Sequence, residues 1–282
     1  MTIRSGCPLF KSFDSAFSMR FDSAMHVKQA LVGLAFSLGL SFGHFVAAAP
    51  AQDLDHTHAT YAELLQQVVH DGRVDYRALH QNPEALNRYL DELAGVSERT
   101  FDGWDIPHRL SYLINLHNAT VLKMVADRYP VRSFKRVAGW FGDPFTKPVV
   151  RLFGNRITLN ILRDNIMRRH YAESAIHFGL VPAARGAPPL RSEPYVPDRL
   201  YEQLDDQLER FLADEHNNRV DRANGRLQLS PIFRWYKADF DLRAGSVAVY
   251  LRPHVNADGR AGDFSIRYGS YDWALNDLHP RK

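Results

Sequence analysis

Apolar residues recur at helical spacing in several stretches of the chain. In 61–70 they fall at positions 61, 64, 65, 68 and 69. That is the one-sided stripe of an amphipathic helix, and Asp71-Gly72 supplies its stop. The stretch 83–93 repeats the spacing through Leu86, Tyr89, Leu90 and Leu93. The strongest stripe spans about 107–128, where Leu110, Ile114, Val121 and Val125 share a face. His117 and Asn118 fall on that apolar face, and Asn115 lies one turn earlier. An unsatisfied buried amide costs roughly 1–3 kcal/mol. These polar groups therefore either meet the backbone or line a site. Two β-prone runs flank Gly154-Asn155 in 149–159, a hairpin signal, and a helix is expected over roughly 160–170. IHFGLV (176–181) reads as an apolar strand or buried segment. Residues 182–197 hold Pro182, Pro188, Pro189, Pro194 and Pro197, which exclude regular helix and central strand. Residues 200–212 are amphipathic again. A short strand at 227–229 leads into Ser230-Pro231, a cap and first-turn proline for a helix over IFRWYKADF (232–240). Residues 264–273 read as a final strand. No linker or repeat interrupts 60–275. The pattern predicts one helix-rich α+β domain with a small antiparallel sheet.

The first fifty residues follow a different logic. A basic start at Met25 and Lys28 precedes an apolar run over 30–49, and Ala49-Pro50-Ala51 offers a cleavage site before Gln52. This reads as a signal peptide, with residues 1–24 a start assigned too early. The alternative is a membrane anchor over 30–49, weakened by Ser37, Ser41, His44 and three glycines. The expected division is a leader (1–51), a polar tail (52–59) and a single domain (60–277), located in the periplasm or secreted.

Charge and cysteine content narrow the function classes. The whole chain carries 35 basic and 32 acidic residues. Removing 1–51 takes away four basic and two acidic residues and leaves a net charge of +1. That balance disfavours a nucleic-acid partner. Cys7 is the one cysteine and leaves with the leader, so no thiol nucleophile, thiolate ligand or disulfide is expected in the mature chain. No metal and no cofactor is expected, since the histidines lack ligand spacing. His56 and His58 are expected in a solvated tail.

Candidate chemistry gathers at 177–191, where His177 leads into a rigid Pro/Gly loop bearing Arg185 and Arg191. His177 is the natural general base near neutral pH, and the arginines suit a carboxylate or phosphate. Against this stands a satisfied core histidine with solvated arginines and no nucleophile beyond Ser174 and Ser192. Phe233, Trp235, Tyr236 and Phe240 form an aromatic group, read as core packing, with a ligand platform as the other reading.

GRVDYRAL (72–79), YLINLHNATVL (112–122), RYPVRSFK (128–135), IHFGLVPAARGAPPLR (176–191), LSPIFRWYKADF (229–240) and YGSYDWALND (268–277) occur in this order. Together they resemble the family catalogued as domain of unknown function 547, over roughly 60–277. The resemblance implies a fold related to papain-like or transglutaminase-like proteins and a cysteine-dependent hydrolase or transferase. It rests on a loop that usually reads Cys-Ala-Ser/Ala-x-x-Cys-Pro. Here both cysteine positions are lost, to Pro182 and Ala187, and a Glu-His pair upstream is also missing. His177, Asn118, Arg168 and Arg191 still match. The resemblance thus implies a non-catalytic member that binds a small ligand or an envelope protein. The alternative is an enzyme of altered chemistry using His177 with an Arg185/Arg191 anion site. Export has a direct check: the denatured mass of protein purified from its own cells is expected to begin at Gln52. A mass retaining 25–51 makes the chain membrane-anchored instead.

Overall fold

The computed structural model describes residues 54–221, 224–255 and 264–280. The leader expected over 1–51, with its alternative anchor and Cys7, lies outside the described residues. Five helices open the described chain: α1 (Ala59–Val68), α2 (Tyr76–Gln81), α3 (Glu84–Ala94), α4 (Glu98–Asp102) and α5 (Ile106–Ala126). Asp105 caps α5 by accepting the His108 N–H at 3.1 Å, and Pro107 occupies the first turn, where an N–H has no helical partner. From Leu110 to Val125, α5 is buried on nearly every side, Lys123 excepted. The sequence shows one apolar face because His117, Asn118 and Thr120 interrupt the others, yet these too are buried. Helices α2 and α3 and the hairpin of β3 (Pro148–Leu152) and β4 (Asn155–Thr158) pack around it.

Among the described residues the strands form three small sheets rather than one. β1 (Val69–His70) pairs antiparallel with β2 (Arg73–Val74), and β3 with β4. Arg219–Asp221 and Arg226–Leu229 pair antiparallel, while Ser265–Tyr268 joins Arg226–Leu229 in parallel, setting Ile266 opposite Leu227. The architecture is the helix-rich α+β domain that the pattern predicts, with one parallel pair added.

Several local expectations are corrected. Residues 160–170 are not a uniform α-helix: Ile161–Met167 is a π-helical segment, followed by α6 (Arg168–Tyr171). The segment 176–181 is no strand but a single helical turn, α7 (Ile176–Gly179). The final strand stops at Tyr268, opposite Leu229, and the residues beyond it run as an extended strap. The lead at 54–58 is no solvated tail: Leu54 packs on the core, His56 stands edge-on to Trp104, and His58 is buried against the Tyr89 hydroxyl.

The remaining helices are α8 (Leu200–Leu212), α9 (Ile232–Trp235), α10 (Lys237–Ala244) and α11 (Val247–Val255). They build a second apolar cluster around Phe211, Phe233 and Phe240 beside the α5-centred one. Helix α7 joins the two, with Ile176 in the first cluster and Phe178 in the second.

The proline-rich segment after α7 is held by side-chain amides. Asn118 donates to the Gly179 carbonyl at 2.8 Å and accepts from the Val181 N–H at 3.0 Å. Asn115 does the same for Tyr195, at 2.8 and 3.0 Å. From the other side, Gln203 donates to the Pro194 carbonyl and accepts from the Val196 N–H, and Gln207 donates to the Pro189 carbonyl. Replacing Asn115 by alanine strands two buried backbone groups. Asn115→Ala is expected to lower the unfolding free energy by roughly 2–4 kcal/mol, measured by urea denaturation.

Candidate functional site

A cavity of about 260 Å³ lies between the two core clusters. Helix α5 contributes His117, α7 and the residues after it contribute His177, Leu180 and Pro182, and α9 with the residue after it contributes Trp235 and Tyr236. The C-terminal strap brings Tyr271 and Trp273, and the hairpin approach brings Phe145 with Asp143 at the exposed rim. The strap is fixed by backbone bonds: Arg185 N–H to Ala274, Gly186 N–H to Asp272, Asn276 N–H to Ala183. Gly186 is needed there, since a Cβ would stand 2.7 Å from the Asp272 nitrogen. Ala183, beside Pro182, holds a left-handed φ of 53°, an uncommon conformation for a residue with a side chain.

A hydrogen-bonded charge network backs one wall. His177 Nε2 lies 2.7 Å from Asp239 Oδ2. Arg168 grips the same carboxylate through Nε at 2.6 Å and Nη2 at 2.8 Å, and reaches Asp164 at 3.1 Å. Arg163 forks onto Asp164 at 2.9 and 2.7 Å and also donates to Asn160. The π-helical segment presents Arg163 to the cavity, and Arg168 just after it bridges Asp164 and Asp239; such segments recur at functional sites. Tyr236 lies flat on the His177 ring, centroids 3.7 Å apart, with the Arg163 and Arg168 guanidiniums 5.7 and 5.2 Å from its own ring centre.

The electrostatics follow from burial and partners. Burial pushes the His177 imidazole below its ordinary value, and the Asp239 hydrogen bond only partly opposes this. Burial would raise Asp239, but hydrogen bonds from His177 and Arg168 hold it well below the usual carboxylate range. An ionised carboxylate only accepts, so neutral His177 carries its proton on Nε2 and leaves Nδ1 as a lone pair. That Nδ1 is buried and unpartnered among the described residues. Two cations, Arg163 and Arg168, face two anions, Asp164 and Asp239, so the cluster is balanced. The Nη1 group of Arg163 makes no hydrogen bond among the described residues.

The residues expected at the site divide. His177 lines the cavity. Asn118, expected to bind ligand, is instead engaged by backbone on both ends of its amide. Arg168 holds Asp239 rather than lining the cavity. Arg191 is buried away from it against Glu193 and Asp206 and also donates to the Gln203 carbonyl. Arg185 also lies off the lining, its carbonyl accepting from Asn217. Neither Arg185 nor Arg191 lines this cavity; the arginine that does is Arg163. Sequence reasoning left His117 open, assigned Trp235 and Tyr236 to the core and missed Asp239. Only Phe233 and Phe240 of that aromatic group are core. Among the described residues no cluster of three or more His, Cys, Asp or Glu is arranged to hold a metal.

Fold and site define a class: a helix-rich α+β domain whose two cores enclose an aromatic pocket with a His-Asp pair on its wall. The family described as Protein of unknown function, DUF547, matches residues 101–212. The match contains His117, Arg163 and His177 but not Trp235, Tyr236, Asp239, Tyr271 or Trp273. No curated protein and no solved structure matches the chain.

Burial pushes His117 down from 6.5 to about 4, the Asn118 hydrogen bond opposing it weakly. His58 is shifted in the same direction, to about 4. A histidine depressed on folding is neutral in the native state and charges more readily when unfolded. Its stabilisation is complete above the unfolded value and is lost as pH falls from about 6.5 toward 4. Asp239 also loses its contribution on acidification, but only at more acidic pH. Over that window His117 alone is expected to remove roughly 3 kcal/mol of stability. Urea midpoints against pH are expected to fall less steeply in His117→Gln.

Proposed function

We propose that this chain is an exported, DUF547-type protein that binds a small planar ligand in the aromatic pocket without covalent turnover. The observation carrying this reading is the make-up of the lining. Trp235, Tyr236, Tyr271, Trp273 and Phe145 offer aromatic faces, and the described lining has no Ser, Thr, Cys or Lys nucleophile. The volume suits a small molecule. Flat ligands gain from offset or edge contacts with such rings. A hydrogen-bond acceptor on the ligand would meet Arg163 Nη1. The balanced charge cluster argues against an anion trap, so the acceptor need not be a full charge. Pro182, where the family's first loop cysteine is implied, borders the pocket and brings neither nucleophile nor N–H. Export rests on the signal-like residues 25–51.

One observation favours a second reading, hydrolysis through activated water: the Asp239-oriented His177 with an unpartnered Nδ1. One experiment separates the two. Tryptophan fluorescence is titrated with benzoate, 4-hydroxybenzoate and indole, and turnover is assayed on ester and amide panels. The binding reading expects saturable quenching by at least one probe, weakened about tenfold in Arg163→Gln, the loss of one charge-assisted hydrogen bond, and no turnover. Turnover that His177→Ala abolishes overturns it in favour of hydrolysis, and absence of saturable quenching removes the ligand class.

A further inference from the structure

Trp140 and Phe141 are the most exposed large apolar side chains of the described chain, at 80% and 104% of their accessible surface. They sit side by side at the tip of the loop 138–142. Isolated apolar residues on a surface need no explanation, but two adjacent bulky aromatics do.

The loop is built to present them. Its base is anchored by buried Phe134 and Val137, with Phe134 edge-on to Phe145 at 5.2 Å. The Gly139 N–H closes onto the Arg136 carbonyl. Gly139 adopts a φ of 90°, a region open to glycine at little cost. Gly142 folds back against Ala138 so closely that a Cβ would lie 2.4 Å from the Ala138 oxygen. The two glycines thus force a tight reversal that turns Trp140 and Phe141 outward.

The charge along the flanking sequence is predominantly positive. Residues 128–147 contain Arg128, Arg132, Lys135, Arg136 and Lys147 and a single acid, Asp143. Asp143 is engaged in capping Phe145. Arg128, Lys135, Arg136 and Lys147 are exposed. Arg136 lies 4.0 Å from the Trp140 ring centre, so cation and aromatic face outward together.

We propose that this loop docks the protein on an anionic lipid surface. Trp140 and Phe141 enter the headgroup boundary, where amphipathic and aromatic rings are favoured. The flanking cations meet lipid phosphates. A protein partner would cover the aromatics equally well, but the predominance of cations along the loop's flanks fits a uniformly anionic surface better. Asp143 and Phe145, which border the pocket, follow directly, so docking brings the pocket rim to the lipid.

The test uses the full chain and vesicles of phosphatidylcholine with or without phosphatidylglycerol, followed by sedimentation and by quenching of tryptophan fluorescence with brominated lipid. Tryptophan occurs at 104, 140, 235 and 273 and not in 1–53, so the quenching signal does not come from the leader. Binding is expected only with phosphatidylglycerol and is expected to weaken with salt. Quenching is expected to fall sharply in Trp140→Phe while binding persists. The double variant Trp140→Ser/Phe141→Ser is expected to lower affinity at least about tenfold. Lys135→Gln/Arg136→Gln is expected to lower it by about fivefold for each charge. The replaced side chains are exposed, so unchanged circular dichroism and Tm verify folding. Equal binding of wild type and Trp140→Ser/Phe141→Ser overturns the proposal. So does an unquenched wild type, or a loop substitution that dissociates an oligomer while vesicles are left unbound.

Discussion

A buried stretch of chain that makes almost no backbone hydrogen bonds within itself governs this structure. Residues 182–197 pass through the interior with five prolines, each lacking an N–H. Their carbonyls and the N–H groups between them still need partners. The answer is a set of side-chain amides on two helices. Asn115 and Asn118 reach from α5, and Gln203 and Gln207 from α8. The pair formed by Asn115 and the pair formed by Asn118 each imitate a strand, donating to one carbonyl and accepting from one N–H. This clamp fixes where α7 ends and therefore where His177 and Pro182 stand.

The C-terminal strap depends on the same arrangement. It has little regular structure, yet it bonds in turn to Val74, Arg132, Ala183 and Arg185. Asn276 adds side-chain bonds to the Tyr76 hydroxyl and the Gly72 carbonyl. A strap attached at so many sequence-distant points brings Tyr271 and Trp273 across the cavity without a strand or helix of its own. The pocket is thus a product of tertiary hydrogen bonding, and its aromatic wall comes from residues far along the chain from its histidines.

That origin decides what can be read from the sequence. Helices α3, α5 and α8 are legible because their apolar spacing is long and regular, and the β3–β4 hairpin because Gly154-Asn155 marks it. Helix α7 is left open between strand and buried segment because a six-residue apolar run suits a strand and a buried helical turn equally. His177 is legible as a candidate, but its partner Asp239 lies 62 residues on, in a stretch where the aromatic positions draw attention. Asn118 is visible as a polar residue on an apolar face, but periodicity cannot tell whether backbone or ligand satisfies it. Arg191 pairs with Glu193 two residues away and stays off the cavity lining, and proximity in sequence does not show that burial will close such a pair. Tyr236 and Trp235 look like their core neighbours Phe233 and Phe240 until the strap arrives opposite them.

The charge network on the pocket wall has a different physical meaning from the amide clamp. Removing an amide leaves orphaned backbone groups, so the clamp is a requirement of folding. Ion pairs drawn out of water return little net stability, because desolvation offsets much of their attraction. Arg168, Asp164, Asp239 and Arg163 therefore do more to orient than to stabilise. Arg168 holds Asp239 by two parallel bonds, Asp239 fixes the His177 tautomer, and Tyr236 fixes the ring plane. The result is one neutral imidazole with a defined lone pair beside a cavity bordered by Pro182. An arrangement that constrains a base so closely, with no Ser, Thr, Cys or Lys in the described lining, is the basis of the proposed recognition of a hydrogen-bonding ligand. It becomes catalytic only where water can be brought to the Nδ1 side of His177.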